Sequence, residues 1–337
     1  MQTENKKRRP KKQSYWALVG RQYRRNKAAV VALGIVLLLF AQALAAPFLA
    51  GERPIYMVLK GRAYWFPNLI DYPELATLDF AGWQPDKGEY ALRPPIPYAP
   101  ERSNLRERIQ GPSAAHLLGT DDRGRDVLSR LLWGTRISMS VGFIAVGIAV
   151  AIGVVIGAVA GYYGGLVDIV VQLLIEIVMC FPTFILILSL IAFLPPSIYN
   201  IMVVIGITGW TGVARLIRGE FLRLRGSDFA TAACATGLSD RRIMFRHLLP
   251  NALSPVLVSA TFGIAGAILT ESALSFLGFG VPPPTPSWGE VLSQSQRFID
   301  RAWWLVTFPG LAIFVTVTAF NLVGQGLRDA MDPRLRQ

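Results

Sequence analysis

Cysteine and histidine are nearly absent: two of each occur in 337 residues. Cys180 and Cys234 lie inside or beside apolar runs, which excludes a disulfide scaffold or a four-ligand zinc site. His116 and His247 have no metal-ligand neighbours in sequence and read as structural. There is no GxxxxGK[ST] phosphate loop and no nucleophile–base pattern, so neither a nucleotide site nor a catalytic or metal site is expected. Charge is also scarce, 17% of residues against about 25% in soluble proteins. What is abundant is apolar sequence, 52% of the chain, which excludes intrinsic disorder. It is concentrated in long uncharged runs, as in a polytopic membrane protein.

A helix needs about 20 apolar residues to cross the hydrocarbon core. Six stretches qualify: 28–50, about 137–161, 166–194, 198–217, 253–280 and 303–326. The first imitates a signal peptide at Ala43-Leu44-Ala45, but its apolar run exceeds the usual h-region of about 7–15 residues, and it reads as an uncleaved span. Residues 1–27 carry ten Lys/Arg against one acid, and 215–246 carry seven Arg against three acids. The short connection 195–200 has no Lys or Arg. The positive-inside rule then places both termini (with Arg328, Arg334 and Arg336) and the 215–246 connection in the cytoplasm. Trp133, Trp288, Trp303 and Trp304 fall near the outer interface. Gly153, Gly157 and Gly161 share one helix face and predict close helix packing, as do Gly206, Gly209 and Gly212.

Residues 51–112 contain nine prolines, several aromatics and no sustained apolar period, which predicts a compact outer insertion of turns and short strands. Its role is either contact with a substrate-delivery protein or covering the outer mouth. Glu176 and Glu271 lie within apolar runs, where a carboxylate is costly and faces a cavity or a partner. A pathway role and a structural hydrogen bond both remain open for them. Asp168, just after Gly164-Gly165, reads as a helix-start or dipole contact.

Between the fourth and fifth spans, Ser227 or Asp228 can cap an Ala-rich helix that Gly237 ends in the left-handed conformation. Ser239 or Asp240 can cap a second helix bearing Ile243 and Met244 and running to Pro250. A DNA-binding helix-turn-helix has this outline too, with Arg241, Arg242 and Arg246 for phosphates. Its position between two membrane spans opposes that reading.

The segment resembles the EAA loop of ABC importer permeases: Glu-Ala-Ala, three residues, Gly, nine residues, Ile, one residue, Leu-Pro. Here Thr231-Ala232-Ala233, Gly237 and His247-Leu248-Leu249-Pro250 stand at that spacing, with Thr231 in place of Glu and His247 in place of Ile. Arg246 to Asn251 is similar to the dipeptide/oligopeptide branch. So are Leu118–Arg130 (LGTDDRGRDVLSR), Gly161–Gly165, Phe181-Pro182 and Glu271–Gly280, and the resemblance spans about 115–335.

The resemblance implies an all-α integral membrane protein with six transmembrane helices and the type I ABC importer permease fold, with an irregular extracytoplasmic insertion between helices 1 and 2. Its expected divisions are a basic cytoplasmic segment (1–27), transmembrane helix 1 (28–50), the insertion and lead-in segment (51–130), a permease core (131–327) with a coupling loop at 218–252, and a cytoplasmic tail (328–337). Implied partners are a sister permease in a heterodimer, two cytoplasmic ATPases that bind ATP and Mg, an extracytoplasmic solute-binding protein and membrane lipid, with no nucleic acid. No cofactor is implied for this chain. The implied ATPase-coupling residues are Thr231, Ala232, Ala233, Gly237, Leu238, Ser239, Asp240, Leu249 and Pro250. The expected activity is ATP-driven import of peptides or similar small solutes across the bacterial inner membrane by alternating access. A secondary transporter would instead need inverted repeats and broken helices around a midplane site. A membrane-bound enzyme would need the missing constellation.

Overall fold

The computed structural model describes residues 15–332, so the basic residues of 1–14 and Arg334 and Arg336 lie outside the described residues. A short helix α1 (Tyr15–Tyr23) leads to α2 (Lys27–Leu49), which Asn26 caps through Ala29 N–H at 3.1 Å. After the insertion come α3 (Val127–Tyr163), α4 (Gly165–Met179), α5 (Thr183–Ala192) and α6 (Ile198–Arg225). The short α7 (Asp228–Ala235) and α8 (Asp240–Arg242) precede α9 (Leu249–Phe276), α10 (Trp288–Gln294) and α11 (Trp304–Met331). Among the described residues, five helical stretches are long and apolar enough to cross a membrane; α4 and α5 form a sixth span only as a pair bent by 77°.

The expected span over 166–194 is thus a broken one. Pro182 supplies no N–H, and a residue before proline disfavours helical backbone, so the helix stops at Met179 and restarts at Thr183. The fifth span differs in the opposite sense. The helix that begins at Asp240 does not end at Pro250 but passes through a π-turn, Ile243–Leu248, straight into α9. In that turn Leu249 N–H donates to Met244 O, five residues back, and the widened ladder accommodates the proline that follows. No separate recognition helix exists here for the helix-turn-helix reading.

The bundle is organised on α3 and α6. A Cβ on Gly153 would meet Trp210 O at 2.8 Å, one on Gly161 would meet Arg218 O at 2.7 Å, and one on Gly157 would overlap Ala214 O. Gly206 returns the arrangement, lying against Ala145 O and Ile148. The two backbones therefore touch where any side chain would separate them. α9 closes against α3 through Ile264 and Ile268, and α11 packs on α2 and α9. At one end, Val19 of α1 packs with Ala330 and Met331 of α11 and with Val258 of α9.

At the other end, the insertion is not wholly irregular. β1 (Tyr56–Leu59), β2 (Arg62–Trp65) and β3 (Tyr90–Leu92) form an antiparallel sheet in the order β2-β1-β3. Lys60 and Gly61, with φ of +49° and +75°, make the two-residue hairpin turn. Met57, Tyr64 and Leu75 form its small core. Arg102 bonds Glu52 and Asp79 at 3.0 and 3.1 Å and holds the Asp79 carboxyl below the usual carboxylate range.

The lead-in motif Leu118–Arg130 joins this cap to the bundle. Asp126 caps α3 through Ser129 N–H at 2.7 Å and bonds His116 Nδ1 at 2.9 Å. Asp121 accepts from Arg123 and Arg125 N–H at 2.8 and 2.9 Å and from Arg125 Nε at 2.7 Å. Arg130, wholly buried, reaches Pro100 O at 2.8 Å and pairs with Glu290 of α10. The tryptophans differ from a simple interfacial belt. Trp133, Trp288 and Trp304 donate their indole N–H to Ala50, Leu131 and Thr120 carbonyls, Trp288 and Trp304 are buried, and Trp303 alone of the four is largely exposed.

The glycine contact gives a paired test on one helix. Gly157→Ala should cost about 1–3 kcal/mol by overpacking. Gly147→Ala, where an added Cβ meets nothing within 4 Å, should be neutral or stabilising by up to about 1 kcal/mol. Thermal unfolding of the purified protein in detergent reads both; equal shifts would contradict the contact.

Candidate coupling site

The loop between α6 and α9 lies at the same end of the bundle as α1 and the C-terminal end of α11. The last turn of α6 buries Phe221 and Leu224. Ser227 then starts α7 with its backbone carbonyl, which accepts from Ala230 and Thr231 N–H, while its hydroxyl donates back to Leu224 O. α7 buries one face only: Ala230 and Ala233 pack with Ile243, Met244 and Leu248. Alanine at these two positions lets α7 lie close against the helix that follows.

Gly237 ends the unit with φ +73°, and a Cβ there would project into open space. Its glycine requirement is therefore conformational, about 1–2 kcal/mol for another L-residue, and not one of local crowding. Thr231, Ala232, Gly237, Ser239, Asp240 and Pro250 are exposed, Leu238 and Leu249 half-buried, and Ala233 buried. The structure thus brings the Thr231–Asp240 set together at one elbow, with Ala233 supporting it from within. Leu249 and Pro250 stand apart, at the start of α9.

Two contacts fix the elbow to α3. Tyr162 Oη donates to Asp240 Oδ1 at 2.8 Å, and Arg225 Nη1 donates to Tyr162 O at 2.8 Å. Phe229 on α7 is 43% exposed beside Ala232, an aromatic that the sequence analysis did not single out. Its signal was available: a large apolar residue in the first turn of an otherwise small-residue helix.

Asp168 does more than stabilise a helix start. Its carboxylate is forked by Arg218, Nε to Oδ1 at 2.5 Å and Nη2 to Oδ2 at 2.7 Å, tying α4 to α6 just above the elbow. Glu271 is wholly buried and accepts from Ser275 and Ser287 Oγ, each at 2.8 Å. Glu176 stands on the exposed face of α4 and has no side-chain partner among the described residues. A cavity of about 240 Å³ between α3, α5, α6 and α9 is lined by Thr183, Thr208, Ser259 and Thr270 together with Gly209 and Gly263. Neither glutamate lines it. The hydroxyls were missed in sequence because single Ser and Thr residues are commonplace in membrane spans, where they bond their own backbone, as Thr208 and Thr270 do.

Residues 153–337 match the family described as binding-protein-dependent transport system inner membrane component. Residues 14–61 match the N-terminal TM domain of oligopeptide transport permease C. The dipeptide transport system permease protein DppC of Escherichia coli (strain K12) is 52% identical over 228 residues, 68% of this chain and 76% of that protein. The protein of the same name from Alkalihalophilus pseudofirmus is 44% identical over 234 residues, 69% of this chain and 77% of that one. Among solved structures, an inward-facing MetNI methionine ABC transporter aligns with a TM-score of 0.49 at 17% identity, over 60% of this chain and 95% of that chain. With its six-span helical architecture and a family match over more than half its length, the chain belongs to the binding-protein-dependent transport system inner membrane components.

Proposed function

We propose that this chain is the permease subunit of an ATP-driven, solute-binding-protein-dependent importer of di- or oligopeptides, working by alternating access. The observation that carries the proposal is the elbow. It is a short helix with one face packed on the bundle and the other open, ended by a left-handed glycine and bonded to α3 through Asp240. The open face, with Thr231, Ala232, Gly237, Leu238, Ser239 and Asp240, docks on a cytoplasmic ATPase; Ala233, Leu249 and Pro250 set its angle to α9. The peptide class is supported by the names of the relatives, which are dipeptide permeases in two organisms.

Hydrolysis belongs to two partner ATPases, which hold ATP and Mg. Their closure moves the elbow, and α6 and Arg218 pass the displacement to α4 through Asp168. A sister permease covers the exposed apolar face of α4, on which Leu166, Ile169, Val170 and Leu173 are 57–81% exposed. Glu176 shares that face and finds its polar surroundings in the heterodimer. Glu271 serves as an internal hydrogen-bonding post. The protein sits in the bacterial inner membrane with both termini in the cytoplasm and the sheet-bearing cap outside, where the solute-binding protein docks.

Two measurements test this reading. Gly237→Trp should leave insertion and assembly intact yet uncouple ATP hydrolysis from uptake in proteoliposomes; normal transport by this variant would remove the docking role. A topology reporter placed near Leu238 should report the cytoplasm and one near Ala91 the opposite side. The reverse pattern, or the same side for both, would overturn the orientation.

A further inference from the structure

The lead-in motif does more than hold the cap in place. Arg125 is 2% exposed, and its Nε is bonded to Asp121. The outer fork of its guanidinium makes no hydrogen bond among the described residues. The carboxylate oxygens of Asp122 and Glu290 stand 3.8 and 4.0 Å from Nη2, beyond hydrogen-bond range. The side chain is buried along its length, and its free fork opens on a cavity of about 550 Å³ between the lead-in, the 275–283 loop and α10.

The position of the cavity is informative. Pro196, beyond the end of α5, and Ser275 to Gly278, at the end of α9, form part of its wall. One face of the same two helices, at Thr183 and Ile187 and at Ala267 and Thr270, lines the intramembrane cavity. The outer cavity therefore stands over the outer end of the inner one.

Charge narrows the occupant. Asp121 and Glu290 are taken up by Arg125 and Arg130. Arg123 and Arg297 remain on the rim, opposed by Asp122. The rim is thus positive by one charge, and two carboxylates lie close enough to repel a dianion. A single planar carboxylate meets both conditions and matches the guanidinium fork.

We propose that this cavity is a carboxylate subsite at the outer mouth, where Arg125 receives the C-terminal carboxylate of an incoming peptide. The proposal rests on the importer reading above. It makes Arg125 a binding residue for a peptide that has left its delivery protein and has not yet reached the intramembrane cavity.

The test uses the whole complex, with sister permease and ATPases, in nanodiscs without the solute-binding protein. Calorimetric titration compares dialanine with dialaninamide, which lacks the carboxylate. Wild type should bind the amide about tenfold more weakly. Arg125→Lys, which keeps a charge beside Asp121, should weaken dialanine by a similar factor and leave the amide unchanged. If that variant proves unstable on heating, the comparison of the two peptides on wild type decides alone.

Equal binding of the two peptides, no binding by an assembled complex, or an indifferent stable Arg125→Lys variant would each overturn the subsite. An acidic side chain of the delivery protein is the other source of a carboxylate. In that case Arg125→Lys would weaken capture of the unliganded delivery protein and leave the dialanine titration flat, which also overturns the peptide assignment. Failure of the ATPases to co-purify would sink the importer reading, whereas a transport-competent complex indifferent to amidation sinks only this one.

Discussion

The architecture depends on the contact between α3 and α6, where three glycines of one helix meet the backbone of the other. In a bilayer the lipid tails are as apolar as leucine, so helices gain little by burying apolar side chains against each other. Close packing and short-range dispersion must supply the attraction, and both require the backbones to approach. Gly153, Gly157 and Gly161 permit that approach over the C-terminal half of α3. α6 leaves this contact and runs directly into the elbow, so the most tightly fitted pair of helices is also the one that carries the elbow.

The end of the bundle that carries the insertion is held differently, by buried ions. Arg125, Arg130, Asp121 and Glu290 lie together in the interior as two hydrogen-bonded pairs, Arg125 with Asp121 and Arg130 with Glu290, with Arg130 Nε 3.5 Å from Asp121 and its Nη1 on Pro100 O. Such a group contributes little net stability compared with well-packed apolar residues, yet losing one member leaves an uncompensated buried charge. Its effect is geometric: the insertion, the start of α3 and α10 are held in one register. Gly124 is obligatory there, with φ +72° and Asn104 O in the space of a side chain.

Much of this was legible in the sequence. Long uncharged runs gave six spans, and the glycine period marked the α3–α6 face. Ser227, Gly237 and Ser239 marked the bounds of the elbow, because helix starts and left-handed turns are local properties, although neither serine side chain caps the helix it precedes. What escaped depended on distant partners or on departures from regular helix. Phe181-Pro182 was visible as a motif, but the size of the bend is set by how α4 and α5 separately meet α6. Pro250 looked like a terminator because a π-turn that absorbs a proline has no sequence period of its own. Trp288 and Trp304 looked interfacial because nothing local to them reveals the carbonyls of Leu131 and Thr120. Arg125 and Glu290 were 165 positions apart in sequence, and their shared burial could be found only in three dimensions.

The broken span has a mechanical corollary. α4 has one buried residue, Ile175, and α5 has two, Ile187 and Ile191, whereas α3 has eighteen. The limb is jointed at Gly164-Gly165 and again at Pro182, and Asp168 moors its first turn to Arg218. Within this chain it makes few buried contacts, so its own bundle restrains it less than it restrains α3. A protein stiff along one axis and slack along a single tethered arm turns a stroke at one face into a swing at the other, as an oar does about its lock.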